Sequence, residues 1–244
     1  MKPVVFLVFS LLVVASTASM AEDDIRQEQV KFQPGKTSAS IKGHLKGRET
    51  VDYQLRASAG QTMDVTLKAS NRFTYFNVYA PESDGTAMFA EGAGDKAFKG
   101  LLPSDGTYVI RVYLIRAAAR RNEAGSYALS LSVDGAPLKP VSGKVDAMLP
   151  GTPYHAQSSI PCKPAYSEVA KCEASVIRRS SDGSATVDIR WGSGTKRSIL
   201  FVHGKPAAAD TFQEMSYKKN GDITIVQFGG EERFEIPDAL IHGG

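Results

Sequence analysis

Two runs of strict two-residue alternation, joined by a basic loop, do most to limit what this chain can fold into. In TYVIRVYL, Tyr108, Ile110, Val112 and Leu114 alternate with Val109, Arg111 and Tyr113, and in YALSLSV, Tyr127, Leu129, Leu131 and Val133 alternate with Ala128, Ser130 and Ser132. A period of two sends successive side chains to opposite faces, so each run is a strand with one apolar face. Between them lies IRAAARRNEAGS, which gathers Arg116, Arg120 and Arg121 at one turn.

The same grammar recurs upstream. QTMDVTLKA alternates Met63, Val65 and Leu67 with Asp64, Thr66 and Lys68, and further strands are predicted at Ser38 to Ile41, Val51 to Ala57, Tyr75 to Tyr79 and Phe98 to Leu102. Turns rich in Gly, Asp, Asn and Pro separate them, and no amphipathic pattern of helical length occurs between Glu49 and Val133. The expected fold is all-β: an antiparallel β-sandwich, jelly-roll-like, over residues 28–134.

Asp134 to Ala156, DGAPLKPVSGKVDAMLPGTPYHA, has neither period and is rich in Pro and Gly, so residues 135–156 are expected to form a linker or extended crossover. Strand signals resume in CEASVIRR, SATVDIRW, KRSILFVHG, EMSYKKN, DITIVQF and RFEIPDALI, predicting a smaller antiparallel β domain over 157–244. Trp191, Phe201, Phe212, Tyr217, Phe228 and Phe234 are its candidate core aromatics. A core this small is marginal, which gives a Cys162–Cys172 disulfide a structural job. The two halves share no alignable motif.

The chain begins with Lys2, the apolar run VVFLVFSLLVVA and the small residues STASMA, the order of a secretory signal peptide over residues 1–21. The apolar run falls short of the roughly 20 residues a membrane span needs, so no integral membrane segment is expected after cleavage. An exported chain meets an oxidising compartment, periplasmic or extracellular, where two cysteines near each other pair by default. Loss of Lys2 with the leader lowers the formal charge from +3 to +2, too little to imply nucleic acid, so any electrostatic function must come from local clustering.

Catalytic and metal signatures are missing from the sequence. His44, His155, His203 and His242 have no metal-ligand spacing, no G-x-S-x-G elbow is present, and the Asp-Gly clusters are turn formers without a D-x-D-x-D-G calcium loop. His203, before Gly204, is expected at a strand end, and Glu231-Glu232 in GGEER is expected in a solvated hairpin. Neither an enzyme, a cofactor nor a metal is expected.

Arg116 and Arg120 are four residues apart across three alanines, so one helical turn would project both guanidinium groups to the same side. Each planar fork suits a carboxylate or phosphate. A solvated basic turn is the alternative.

From Val30 to Val133 the chain resembles the periplasmic inhibitors of g-type (goose-type) lysozyme. The likeness runs through VKFQPGKTSASIKGHLKG, YQLRASAGQTMDVTL, TYFNVYAP and LPSDGTYVIRVYLIRAAARRNEAGSYALSLSV. Its most specific part is the strand leading into an R-x-x-x-R loop. More distantly the chain is similar to prepeptidase C-terminal sandwich modules. The resemblance implies an eight-stranded sandwich, a g-type lysozyme as protein partner, and a loop whose arginines, here Arg116 and Arg120, enter the muramidase cleft, with Arg121 and Asn122 as flanking support. The departure is the run of alanines between the arginines, where polar residues are expected. The alternative is a non-inhibitory module binding glycan, calcium or an envelope partner. Nothing after Asp134 belongs to the resemblance, and tethering, homodimerisation and other binding all stay open for that part.

Overall fold

The computed structural model describes residues 25–90, 96–192 and 194–243. The proposed leader lies outside them. The N-terminal half contains β1 (Ile25–Gln29), β2 (Ser38–Lys46), β3 (Thr50–Ala57), β4 (Thr62–Ala69), β5 (Thr74–Tyr79), β6 (Phe89–Ala90), β7 (Ala97–Leu101), β8 (Gly106–Leu114), the short helix α1 (Arg116–Arg120) and β9 (Ala124–Asp134). They form two sheets, β1-β3-β8-β5-β6 and β2-β9-β4-β7. Nine strands are therefore described where the resemblance implied eight. Every pair is antiparallel except β1 with β3, which run parallel. β1, IRQEQ, lacks apolar alternation because it sits exposed at a sheet edge, and β6 is only two residues long.

The alternation read from the sequence closes the sandwich. Tyr108, Ile110 and Val112 of one sheet and Leu129 and Leu131 of the other are buried in one core with Phe76, Val78, Met63 and Val65. Three buried tyrosines bring polar tips inside and satisfy them: the Tyr53 and Tyr127 hydroxyls lie 2.8 Å apart, and Tyr108 donates to the Ser104 carbonyl at 2.8 Å.

The C-terminal half contains β10 (Ala156–Lys163), β11 (Lys171–Arg178), β12 (Ala185–Trp191), β13 (Thr195–Val202), β14 (Lys205–Ala209), β15 (Met215–Asn220), β16 (Ile223–Phe228), β17 (Glu232–Pro237) and α2 (Asp238–His242). These strands make one antiparallel sheet in the order β14-β13-β12-β11-β10-β17-β16-β15, whose two ends approach each other so that it curls toward a barrel. Phe201, Phe228 and Phe234 fill its core and Trp191 packs against it. Cys162 and Cys172 are bonded, with Cα atoms 5.8 Å apart.

Three expectations need correction here. Phe212 and Tyr217 are 63% and 47% exposed, outside the core, because they lie on the outer edge strand β15 and the loop before it. RFEIPDALI is a strand only to Pro237; its last residues turn into α2, burying Leu240 and Ile241. Glu232 is not solvated: it is buried with its carboxylate on Arg197 at 2.9 Å, and Arg197 also pairs with Asp210 at 3.0 Å. His203 does sit in a turn, with φ of 49°, and pairs with Asp182.

Residues 135–155 hold no helix or strand, yet they are strapped down. Leu138 packs on Gly60, its N–H donates to the Ala59 carbonyl, Val141 N–H donates to the Arg178 carbonyl, and Asp146 pairs with Arg178. The C-terminal sheet in turn meets one end of the sandwich. Thr186 donates to the Pro103 carbonyl at 2.8 Å, the buried Arg179 pairs with Asp105 at 2.9 Å, and Arg190 and Lys196 converge on Glu82. Residues 103–105 precede β8 whereas α1 follows it, so these contacts lie at the end of the sandwich opposite α1, the length of β8 away, roughly 27 Å at the ordinary strand rise. The arginine loop is left clear.

Candidate functional site

Ala117, Ala118 and Ala119 have the highest helix propensity, but five residues are too few to be helical alone. Tertiary contacts hold them. Ile115 N–H donates to the Phe73 carbonyl at 3.0 Å, and Ala118 is fully buried in the sandwich core. Asn122 ends the turn at φ 55°, a left-handed conformation that Asn tolerates better than most residues, and its N–H donates to the Ala119 carbonyl. A neighbouring turn braces it. Gly47, itself at φ 60°, donates its N–H to the Glu123 carbonyl at 2.8 Å, and a Cβ there would stand 2.6 Å from Asn122 Oδ1.

The three loop arginines then part company. Arg121 is committed to the scaffold: Nε and Nη2 reach Glu123 Oε1 at 2.7 and 2.6 Å, with the guanidinium over the Phe73 ring. Asn71 donates to the same carboxylate at 2.9 Å, and these hydrogen bonds, Asn71's first, hold Glu123 below its ordinary pKa. Arg116 and Arg120 are exposed and, among the described residues, make no ion pair or side-chain hydrogen bond. The helical turn sets both at one cavity.

That cavity, about 600 Å³, also takes its walls from parts of the chain that sequence reasoning did not assign to a site: Arg48, Thr50, Asn77, Tyr79, Arg111 and Tyr113. Arg48 follows Gly47 in the turn between β2 and β3, so the contact between Gly47 and Asn122 mounts it beside α1. Its guanidinium also has no partner among the described residues. Arg111 differs. It forms a fork-to-fork pair with the buried Asp52, two bonds of 2.7 Å, and that hydrogen bonding raises its already high pKa. Tyr113 donates to Asn77 Oδ1 and Asn77 Nδ2 to the Tyr79 hydroxyl, each at 3.2 Å, which fixes a polar floor. The only sequence signal for Asn77, Tyr79, Arg111 and Tyr113 was their place on the outward positions of β5 and β8.

Among the described residues no group of His, Cys, Asp and Glu is placed to hold a metal ion, and no helix is long and apolar enough to cross a membrane.

Two unpaired guanidinium groups on one helical turn, beside a polar concavity, are chemically suited to carboxylates or phosphates. No family model matches the chain. A crystallised periplasmic inhibitor of g-type lysozyme from Aeromonas hydrophila is 39% identical, over 46% of this chain and 100% of that one, with a TM-score of 0.43. The corresponding inhibitor from Salmonella Typhimurium is 26% identical over 45% and 98% of the two chains, with a TM-score of 0.36. The inhibitor of g-type lysozyme from Escherichia coli K12 is 26% identical over 137 residues, 52% of this chain and 92% of the relative. On the identity to the whole Aeromonas protein, the chain belongs to the family of periplasmic inhibitors of g-type lysozyme. These relatives leave about half of the chain unmatched.

Proposed function

We propose that the protein is a periplasmic, non-enzymatic inhibitor of g-type lysozyme that acts by placing α1 in the muramidase cleft. The carrying observation is that Arg116 and Arg120 stand exposed and unpaired on one helical turn whose backbone is anchored at both ends. Glycoside hydrolysis needs a carboxylic acid that gives its proton to the glycosidic oxygen. An arginine against that acid lowers its pKa and keeps it ionised, so no proton is available, while the side chain fills sugar space. Ala117 and Ala119 leave the two long side chains unobstructed. Arg121 and Asn122 support the turn rather than reach the partner.

Residues 28–134 are the inhibitory unit in this reading, 135–156 the strap, and 157–244 a disulfide-bearing unit docked at the far end. Titration of a g-type lysozyme on cell-wall substrate tests the function, with chicken-type and invertebrate-type lysozymes run beside it for selectivity. Slowing at near equimolar ratio is the expected result.

A further inference from the structure

We propose that the outer face of the β2-β9-β4-β7 sheet binds an extended, carboxylate-bearing glycan strand. The strand register fixes what this face offers. Ser38, Ser132, Asp64 and Lys99 form one row across four strands. Ser40, Ser130 and Thr66 form the next, and Lys42, Ala128 and Lys68 the one after. Rows are about 7 Å apart along the strands and neighbours about 4.8 Å apart across them, so the face is a grid of short hydroxyls bordered by ammonium groups. Among the described residues the side-chain hydroxyls of those two rows make no hydrogen bond with a protein group.

Charge collects here as well. Lys31 and Lys36, on the segment that leads into β2, wall one end of a cavity of about 780 Å³ floored by Ser40, Ser130 and Ser132. A second, shallower groove, about 530 Å³, continues over the row of Lys42 and Lys68 toward His44. Lys31, Lys36, Lys42 and Lys68 have no carboxylate partner among the described residues, while Asp64 faces Lys99 at 3.8 Å and Asp134, at the end of β9, accepts from Thr37. The whole chain is only +3, so this face carries far more than its share of positive charge.

The chemistry selects the occupant. Aligned hydroxyls match the donors and acceptors of sugar rings, and ammonium groups meet carboxylates as point charges. The three rows carry no aromatic ring on which a base would stack and no large apolar side chain to enter a bilayer, and the exposed His44 imidazole lies one row beyond them. The arginine cavity lies on the other sheet of the sandwich, so both faces are open at once and this inference stands apart from the inhibitory one.

The test is binding of the exported chain to polygalacturonate, with neutral dextran and single-stranded DNA as comparison polymers. The wild type is expected to bind polygalacturonate, more weakly as salt rises, and to leave dextran unbound. The triple variant Lys31→Gln, Lys36→Gln, Lys68→Gln should lose about tenfold or more, since electrostatic attraction of a polyanion scales with the charge presented. Ser40→Ala with Ser130→Ala should weaken binding to the glycan but not to DNA, and Arg116→Ala with Arg120→Ala should lose clearly less than the lysine variant does. All three carry exposed surface changes, and circular dichroism checks that each is folded. No binding to polygalacturonate, an unaffected lysine variant, or DNA bound as tightly with the serine variant unchanged would each overturn the proposal.

Discussion

Gly47 and Asn122 are packed so closely that a β-carbon on the glycine would stand 2.6 Å from the Asn122 side-chain oxygen. The pair links the turn carrying Arg48 to the residue that ends α1. Both are in left-handed backbone, which a glycine adopts freely and an alanine does not. Gly47→Ala should therefore cost about 1 kcal/mol from backbone alone. It should also displace Asn122 and loosen α1. A thermal melt reads the first effect and lysozyme titration the second, with a weaker inhibitor expected.

Arg197 is the buried cation between Asp210 and Glu232. Arg197→Leu leaves two buried carboxylates facing each other and should cost about 3–5 kcal/mol in urea unfolding. The two acids are not equivalent. Burial, only partly offset by Arg197, raises the Asp210 pKa, so the folded protein binds that proton more readily than the unfolded chain does. Ionised Asp210 thus opposes folding, and the penalty fades as pH falls toward its folded value. Asp210→Asn should be nearly neutral or stabilising at pH 7, whereas Glu232→Gln, which breaks the closer contact to Arg197, should be destabilising.

Glu82 has the opposite sign. The Lys196 ammonium first, then hydrogen bonds from Lys196 and Arg190, hold its pKa below the ordinary 4.5. The contribution to stability is present above about pH 4.5 and is lost as pH falls through the lower folded value. Melting temperatures of wild type and Glu82→Gln should differ near neutrality and converge in acid. A difference that persists to pH 2 would contradict this account of the contact between the sandwich and the C-terminal sheet.

The Cys162–Cys172 bridge closes a short loop far along the chain from α1. Its reduction should lower the stability of the C-terminal half by about 2–4 kcal/mol. Inhibition should persist while the sandwich stays folded. Near-equal inhibition by oxidised and freshly reduced protein at 25 °C is the expected readout.

What the sequence displayed and what it hid follow from the range of the interactions involved. Strands β4, β8 and β9 bury one side of every pair of residues, so their alternation was plain. The helical turn of α1 was foreshadowed by three alanines between arginines. By contrast, Arg111 meets Asp52 across 59 residues and Arg48 reaches the cavity from another turn, and neither carries a local mark of its partner. Glu232 looked like one of two hairpin acids because the arginine that buries it lies 35 residues earlier. β1 was missed because an edge strand with both faces wet has no pattern to betray it.

Lysozyme titration with the Arg116→Ala, Arg120→Ala double variant probes the central claim most directly. Each arginine removed from a desolvated ion pair should cost about 2–5 kcal/mol of binding. The wild type should slow a g-type lysozyme at near equimolar ratio, and the folded double variant should need far more than a hundredfold excess. Undiminished inhibition by the double variant would contradict the mechanism, and a wild type that leaves g-type lysozyme untouched would contradict the function itself.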